Sequence, residues 1–164
     1  MSYRTFTFQQ LKDRFGLEMS LSPILSAKII PLEPERIISP ILLEFREKNH
    51  RQFSIFSGWA FDVDVSQGLH GECDFLFSGA PLNFEIKVPF FALRETKSGE
   101  IESCLPQCAA QMVIPAVFGC VTSGVVWRFL KLKGNNLIID DDVYYLDNLP
   151  TILGVLQKIV NLYK

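Results

Sequence analysis

Residues 84–97 read FEIKVPFFALRETK and contain the pattern Glu-x-Lys twice, as Glu85-Ile86-Lys87 and as Glu95-Thr96-Lys97. Side chains alternate faces along a strand, so this spacing sets a carboxylate and an ammonium side by side. With a second carboxylate from a neighbouring strand, the pair becomes a hard-oxygen site suited to Mg2+, which keeps waters in the rest of its octahedron. Such an ion polarises a phosphodiester and helps make hydroxide from bound water, while the lysine orients that water or offsets charge on the phosphate oxygens. Asp74, in the segment GECDFLFS that precedes both copies, is the natural second carboxylate. The triplet alone says little, because chance produces it often in a chain of this composition.

One site cannot use both copies. In an unbroken strand they would be separated by about 33 Å, at about 3.3 Å per residue. A tight hairpin over Gly79-Ala80 would bring Glu85 opposite Asp74, but Pro81 and Pro89 bracket that segment and proline gives a sheet no donor. The second copy closes the apolar run VPFFAL and precedes the loop SGE, and strand exits of this kind gather ligands in open α/β sheets. Glu95 and Lys97 are therefore preferred, with Glu85 and Lys87 kept as the alternative.

The elements that must position these residues can be read from periodicity. FTFQQLKDRFG suggests a short amphipathic helix ended by Gly16, and LSPILSAKIIPLEP an irregular connection. A longer helix is predicted from about Pro34 to His50, with Pro40 either kinking it or marking its first turn. From Phe53 the period becomes two. Phe61, Val63 and Val65 alternate with Asp62 and Asp64, SQGLHG supplies a turn, and ECDFLFS makes a second strand. VPFFALRETK reads as a central strand covered on both faces. IESCLPQCAAQMVIPAVF is helix-like, with Pro106 near its first turn. GCVTSG, VVWRFLKLKGN and NLIIDDDVYYLD are further strands with KGNN as a hairpin turn, and LPTILGVLQKIVNLY is a closing amphipathic helix. The pattern is an α/β domain, a mixed central sheet flanked by helices, with residues 1–33 as an N-terminal helix and connection and 34–164 as the core.

Three stretches, SIFSGWAFDVDVSQGLHGECDFLFS, VPFFALRETKSGEIESCLPQCAAQM and VTSGVVWRFLKL…YYLDNLPTILGVL, together resemble a family of uncharacterised cyanobacterial proteins. That family is assigned to the PD-(D/E)XK, or restriction-endonuclease-like, nuclease superfamily, and the resemblance spans roughly Pro40 to the C-terminus. In the family a CDFLLS strand carries an aspartate, a hydrophobic strand ends in Glu-Ala-Lys, and a helix with the pattern GQC-x-A-E/Q-M follows. The resemblance implies a restriction-endonuclease-like core with Asp74 and Glu95 as metal ligands for Mg2+ or Mn2+ and Lys97 acting on the attacking water or the phosphate. Gln107 and Gln111 would hold Lys97 or the scissile phosphate. The superfamily often has a glutamate on the first core helix, and Glu44 in ILLEFRE is its match. Thr96 stands where the family has alanine, and Pro106 where it has glycine. The expected activity is that of a metal-dependent phosphodiesterase on nucleic acid, DNA before RNA. The alternative is a binding or assembly module, a homodimer among its forms, that keeps the fold without turnover.

Composition bounds these readings. The chain of 164 residues is 48% hydrophobic and 21% charged, which suits one globular domain. No apolar run approaches the roughly 20 residues of a membrane span, and the N-terminus has no apolar signal region, so a cytoplasmic protein is expected. A net charge of −2 argues mildly against avid, sequence-independent nucleic-acid binding. Cysteines 73, 104, 108 and 120 are expected as thiols, since His50 and His70 are isolated and complete no zinc set. Asp62 and Asp64 form a second acidic pair but read better as solvated strand aspartates, and the DDD run at 140–142 reads as a solvated turn, with metal binding its minor alternative. No Gly-x-Ser-x-Gly or phosphate-binding glycine loop supports a small-molecule hydrolase.

Overall fold

A computed structural model describes residues 6–22, 24, 38–79, 89–96, 100–113 and 116–163. Helix α1 (Phe8–Phe15) opens with a reciprocal cap. The Gln10 amide donates to the Thr7 hydroxyl at 3.2 Å, and the Thr7 amide donates to the Gln10 side chain at 2.9 Å. Gly16, at φ 64°, closes the helix in the left-handed region. Strand β1 (Glu18–Leu21) follows, where the sequence reading had only a connection.

Helix α2 (Ile38–Lys48) falls within the predicted span, and Pro40 is the third residue of its described part. Its buried side chains are Ile38, Ile41, Leu42 and Phe45, and Arg46 and Lys48 occupy the last turn, as the helix dipole favours. Residues 34–37 of the predicted helix lie outside the described residues.

Strands β2 (Ser54–Asp64), β3 (Leu69–Ser78) and β4 (Pro89–Glu95) then form an antiparallel meander. Asp64 is no idle strand aspartate: its carboxylate accepts from the Ser66 and Gln67 amides and caps the turn into β3. Helix α3 (Ile101–Met112) carries the chain across to β5 (Phe118–Thr122), which pairs parallel with β4. Here Pro106 sits inside the helix, not in its first turn as predicted. The preceding turn forms because it lets Ile101 and Leu105 reach the core, which offsets the hydrogen bond that proline removes. Strands β6 (Val126–Lys133) and β7 (Asn136–Ile139) form the predicted hairpin, β8 (Tyr144–Tyr145) pairs with β6, and α4 (Leu149–Asn161) closes the fold.

The described residues form an α/β fold with a mixed eight-stranded sheet, ordered β1-β7-β6-β5-β4-β3-β2 with β8 off that path on β6, flanked by helices. One face packs α2 and α4 around Phe53, Phe77, Phe91, Phe129 and Trp127. The Phe53 and Phe77 rings stack at 5.2 Å and Phe77 meets Phe91 at 4.8 Å. The other face packs α1 and α3 through Leu11, Leu105, Cys108, Ala109 and Met112. The apolar side of α4 is thereby committed to the core. Cys73, Cys108 and Cys120 are buried free thiols. No helix among the described residues is long and apolar enough to cross a membrane.

Candidate functional site

Burial along β4 runs from fully covered at Pro89–Leu93 to half-buried Arg94 and exposed Glu95, so the strand carries Glu95 out of the core at its end. β3 runs antiparallel beside it, with Phe75 opposite Leu93. Just past that pair the regular ladder gives way to a side chain. Asp74 Oδ2 accepts the Glu95 backbone N–H at 2.9 Å, standing in for a strand carbonyl. On the other flank, the Thr96 N–H donates to the Thr122 carbonyl of β5 at 2.8 Å. The backbone at Glu95-Thr96 is thus tied on one side by a carboxylate and on the other by a strand.

A local irregularity in β2 accompanies this arrangement. Ser57 pairs with Phe75 and Trp59 with Cys73, while Gly58 between them has φ 61°. A Cβ at Gly58 would come within 2.9 Å of the Glu72 carboxylate, so glycine serves both the left-handed backbone and the close approach.

Arg94, which sequence reasoning passed over, is the second partner of Asp74. Its Nε lies 3.7 Å from Asp74 Oδ2, and its Nη1 donates to the Glu72 carbonyl at 3.4 Å. The two side chains are 28% and 34% exposed, so the pair sits at the edge of solvent. The same Glu72 carbonyl accepts from Gln111 Nε2 at 3.2 Å. Gln111, only 2% exposed, also accepts a weak contact from the Cys73 thiol at 3.8 Å. Solvent exposure, the ordinary expectation for a helix glutamine, does not describe it. Gln111 pins α3 to the middle of β3, two residues before Asp74. One turn earlier Gln107 is half-buried, and its Oε1 is buried without a hydrogen-bond partner. A pair of glutamines four apart announced the shared face, but the burial of Gln111 depended on where α3 crosses the sheet.

Glu95 lines a cleft of about 360 Å³ together with Ile38 and Ser39 of α2, Phe75, Ser123, Gly124, Val125 and Leu146. Arg94, its strand neighbour, turns toward Asp74 and Glu72 instead. Glu44 is half-buried on α2, one turn before Lys48, whose ammonium lies 4.0 Å from its carboxylate. Lys97, Glu85 and Lys87 lie outside the described residues, so the choice between the two Glu-x-Lys copies rests on Asp74 meeting the Glu95 backbone.

In a different acidic cluster Asp141 and Asp142 are exposed as the sequence suggests, and Asp140 is not. Asp140, Asp141 and Asp142 place carboxylate oxygens within 4.8 Å of one another, yet Asp140 is 1% exposed, not a solvated turn residue. It accepts from the Asp142 amide at 3.2 Å and from the Tyr144 hydroxyl at 3.1 Å. Burial pushes the Asp140 carboxyl above the usual carboxylate range, and burial beside Asp140 likewise raises the Tyr144 hydroxyl. Its hydrogen bonds are those of a structural corner between β7 and β8.

As metal donors, Asp74 and Glu95 are hard-oxygen carboxylates on neighbouring strands, and the bond between them joins the Asp74 carboxylate to the Glu95 backbone, while the Glu95 side chain lines the cleft beside α2. The guanidinium against Asp74 Oδ2 is the feature a cation would have to contend with. Comparison with models of protein families, with curated proteins and with solved structures finds no match.

Proposed function

We propose that this chain is a metal-dependent phosphodiesterase acting on nucleic acid, DNA in the first instance, with a restriction-endonuclease-like core. The observation that carries the reading is the 2.9 Å bond from the Glu95 N–H to Asp74 Oδ2, which draws the acid of β3 to the strand end bearing Glu-x-Lys. The element order supports it as well: a first helix with Glu44, the aspartate strand, the Glu-x-Lys strand, then the glutamine helix, as the family resemblance implies.

Asp74 and Glu95 would hold Mg2+ or Mn2+, which supplies Lewis acidity toward a phosphate oxygen and a lowered pKa for bound water. Lys97, two residues beyond Glu95, orients the attacking water or offsets phosphate charge. Gln107 supports that role. Its amide offers an acceptor oxygen that suits the Lys97 ammonium and N–H donors that suit the scissile phosphate. Gln111 acts at one remove by fixing the Glu72 carbonyl and the stretch of β3 that carries Asp74. Glu44 is an outer acid on α2. The test is nicking of supercoiled plasmid with Mg2+ or Mn2+ by the wild type beside Glu95→Ala and Lys97→Ala. Nicking by the wild type alone is expected; equal activity of all three, or none with either metal, rejects catalysis at this site.

One observation favours a second reading, a non-catalytic binding or assembly module. Arg94 already neutralises Asp74 without a metal. Such a protein would bind no divalent ion at Asp74 and Glu95 by calorimetry, and its oligomeric state, a homodimer included, would survive Glu95→Ala.

A further inference from the structure

Arg94 is held loosely for a residue so near a buried strand end. Its approach to Asp74 Oδ2 is 3.7 Å and its bond to the Glu72 carbonyl 3.4 Å, both longer than charge-assisted contacts of about 2.8 Å. Its Nε is buried and donates no hydrogen bond, and the geometry with Asp74 is not the paired fork that a settled arginine–carboxylate contact adopts. The short contact at Asp74 is instead the Glu95 amide at 2.9 Å. A carboxylate has about four lone-pair sites, so it can keep that amide and still accept a second partner. A divalent ion and a guanidinium cannot share the remaining place, because two positive charges a few ångströms apart in a half-buried site repel strongly. With 28% of the side chain exposed, Arg94 has a path outward into solvent.

We propose that Arg94 is the resident counter-cation of Asp74, displaced when a divalent ion binds there and then available to a phosphate of the nucleic acid. The proposal rests on Asp74 as a metal ligand. A guanidinium is weakly hydrated and matches phosphate oxygens in pairs, so release from a poor contact with Asp74 leads to a better one with substrate. The exchange keeps the site electrically balanced before and after metal binding. It also confines the phosphate contact to the metal-loaded state.

The test is calorimetric titration of Mn2+ into the wild type, Arg94→Gln and Asp74→Asn. Removing the competing charge is expected to tighten Mn2+ binding about tenfold in Arg94→Gln, while Asp74→Asn binds at least tenfold more weakly than the wild type. In the presence of metal, Arg94→Gln should hold a short DNA duplex about tenfold more weakly. The unmodified protein gives an independent readout: the Nε–H resonance of Arg94 should shift as Mg2+ is added. Mn2+ affinity unchanged or weakened in Arg94→Gln, undiminished binding by Asp74→Asn, or a stationary Nε–H signal with Mg2+ bound would each overturn the proposal. Its failure differs from failure of the nuclease reading. A wild type that cuts DNA while Arg94→Gln gains no Mn2+ affinity loses only the counter-cation. Tighter Mn2+ binding in Arg94→Gln with no cutting by any variant keeps the counter-cation and loses the enzyme.

Discussion

Replacing Asp74 by alanine strips the Glu95 amide of its acceptor and the Arg94 guanidinium of its counter-charge. The expected cost is about 1–3 kcal/mol of stability, measured by urea unfolding, whereas Asp74→Asn, which keeps an acceptor oxygen, should lose less. Glu95→Ala gives the contrasting result. Its side chain is exposed, so stability should change by less than about 0.5 kcal/mol while any metal-dependent cleavage disappears. A large stability loss in Glu95→Ala would show that the carboxylate is structural. That Asp74 would lie beside the end of the apolar strand at Glu95 could be read from the sequence, given a wide loop between the two strands; that its carboxylate would bond the Glu95 backbone could not. Arg94 was not legible: nothing in the sequence says that the residue between two candidate positions will lean toward Asp74. Asp140 misled for a related reason. Three successive aspartates look solvated until a Tyr144 hydroxyl and the Asp142 amide are found on the first of them.

Helix α3 is set by a glycine it covers. Gly119 of β5 lies under Met112 and Cys108, and a Cβ there would press on the Met112 sulfur. Gly119→Ala should therefore destabilise the fold by about 1–3 kcal/mol, and Met112→Ala in the same chain should return part of that loss; strict additivity of the two changes would refute the direct contact. Any shift of α3 also moves Gln111 off the Glu72 carbonyl, so the single variant should disturb β3 beside Asp74 as well as lower stability. Periodicity located α1, α3, α4 and the β6–β7 hairpin well, since each has a clear apolar stripe or a turn signal. It missed β1, whose four exposed residues EMSL have no alternation to betray a strand. It also misplaced Pro106, because the pull of Ile101 and Leu105 toward the core is a tertiary effect that outweighs a local helix rule.

The interior as a whole makes the protein sensitive to alkali. Burial pushes the Cys73 thiol up to about 12, and Cys108 and Cys120 rise with it for the same cause. The folded chain thus keeps protons that the unfolded chain releases above its ordinary thiol range, and stability falls as pH rises. The slope is about 1.4 kcal/mol per pH unit for each thiol still protonated only in the folded state, beginning near pH 8.5. Urea midpoints should accordingly drop between pH about 8 and pH about 10; constant midpoints would mean the thiols titrate alike in both states. The sheet edge has a different consequence. β1 pairs in parallel with β7, Glu18 beside Asn136 and Leu21 beside Ile139, so the edge joins segments more than a hundred residues apart. During synthesis the N-terminal strand has nothing to dock on until β7 has been made, and that long-range closure is slow in entropic terms. A segment made early must therefore wait, without its strand partner, while more than a hundred further residues are added before it finds its place.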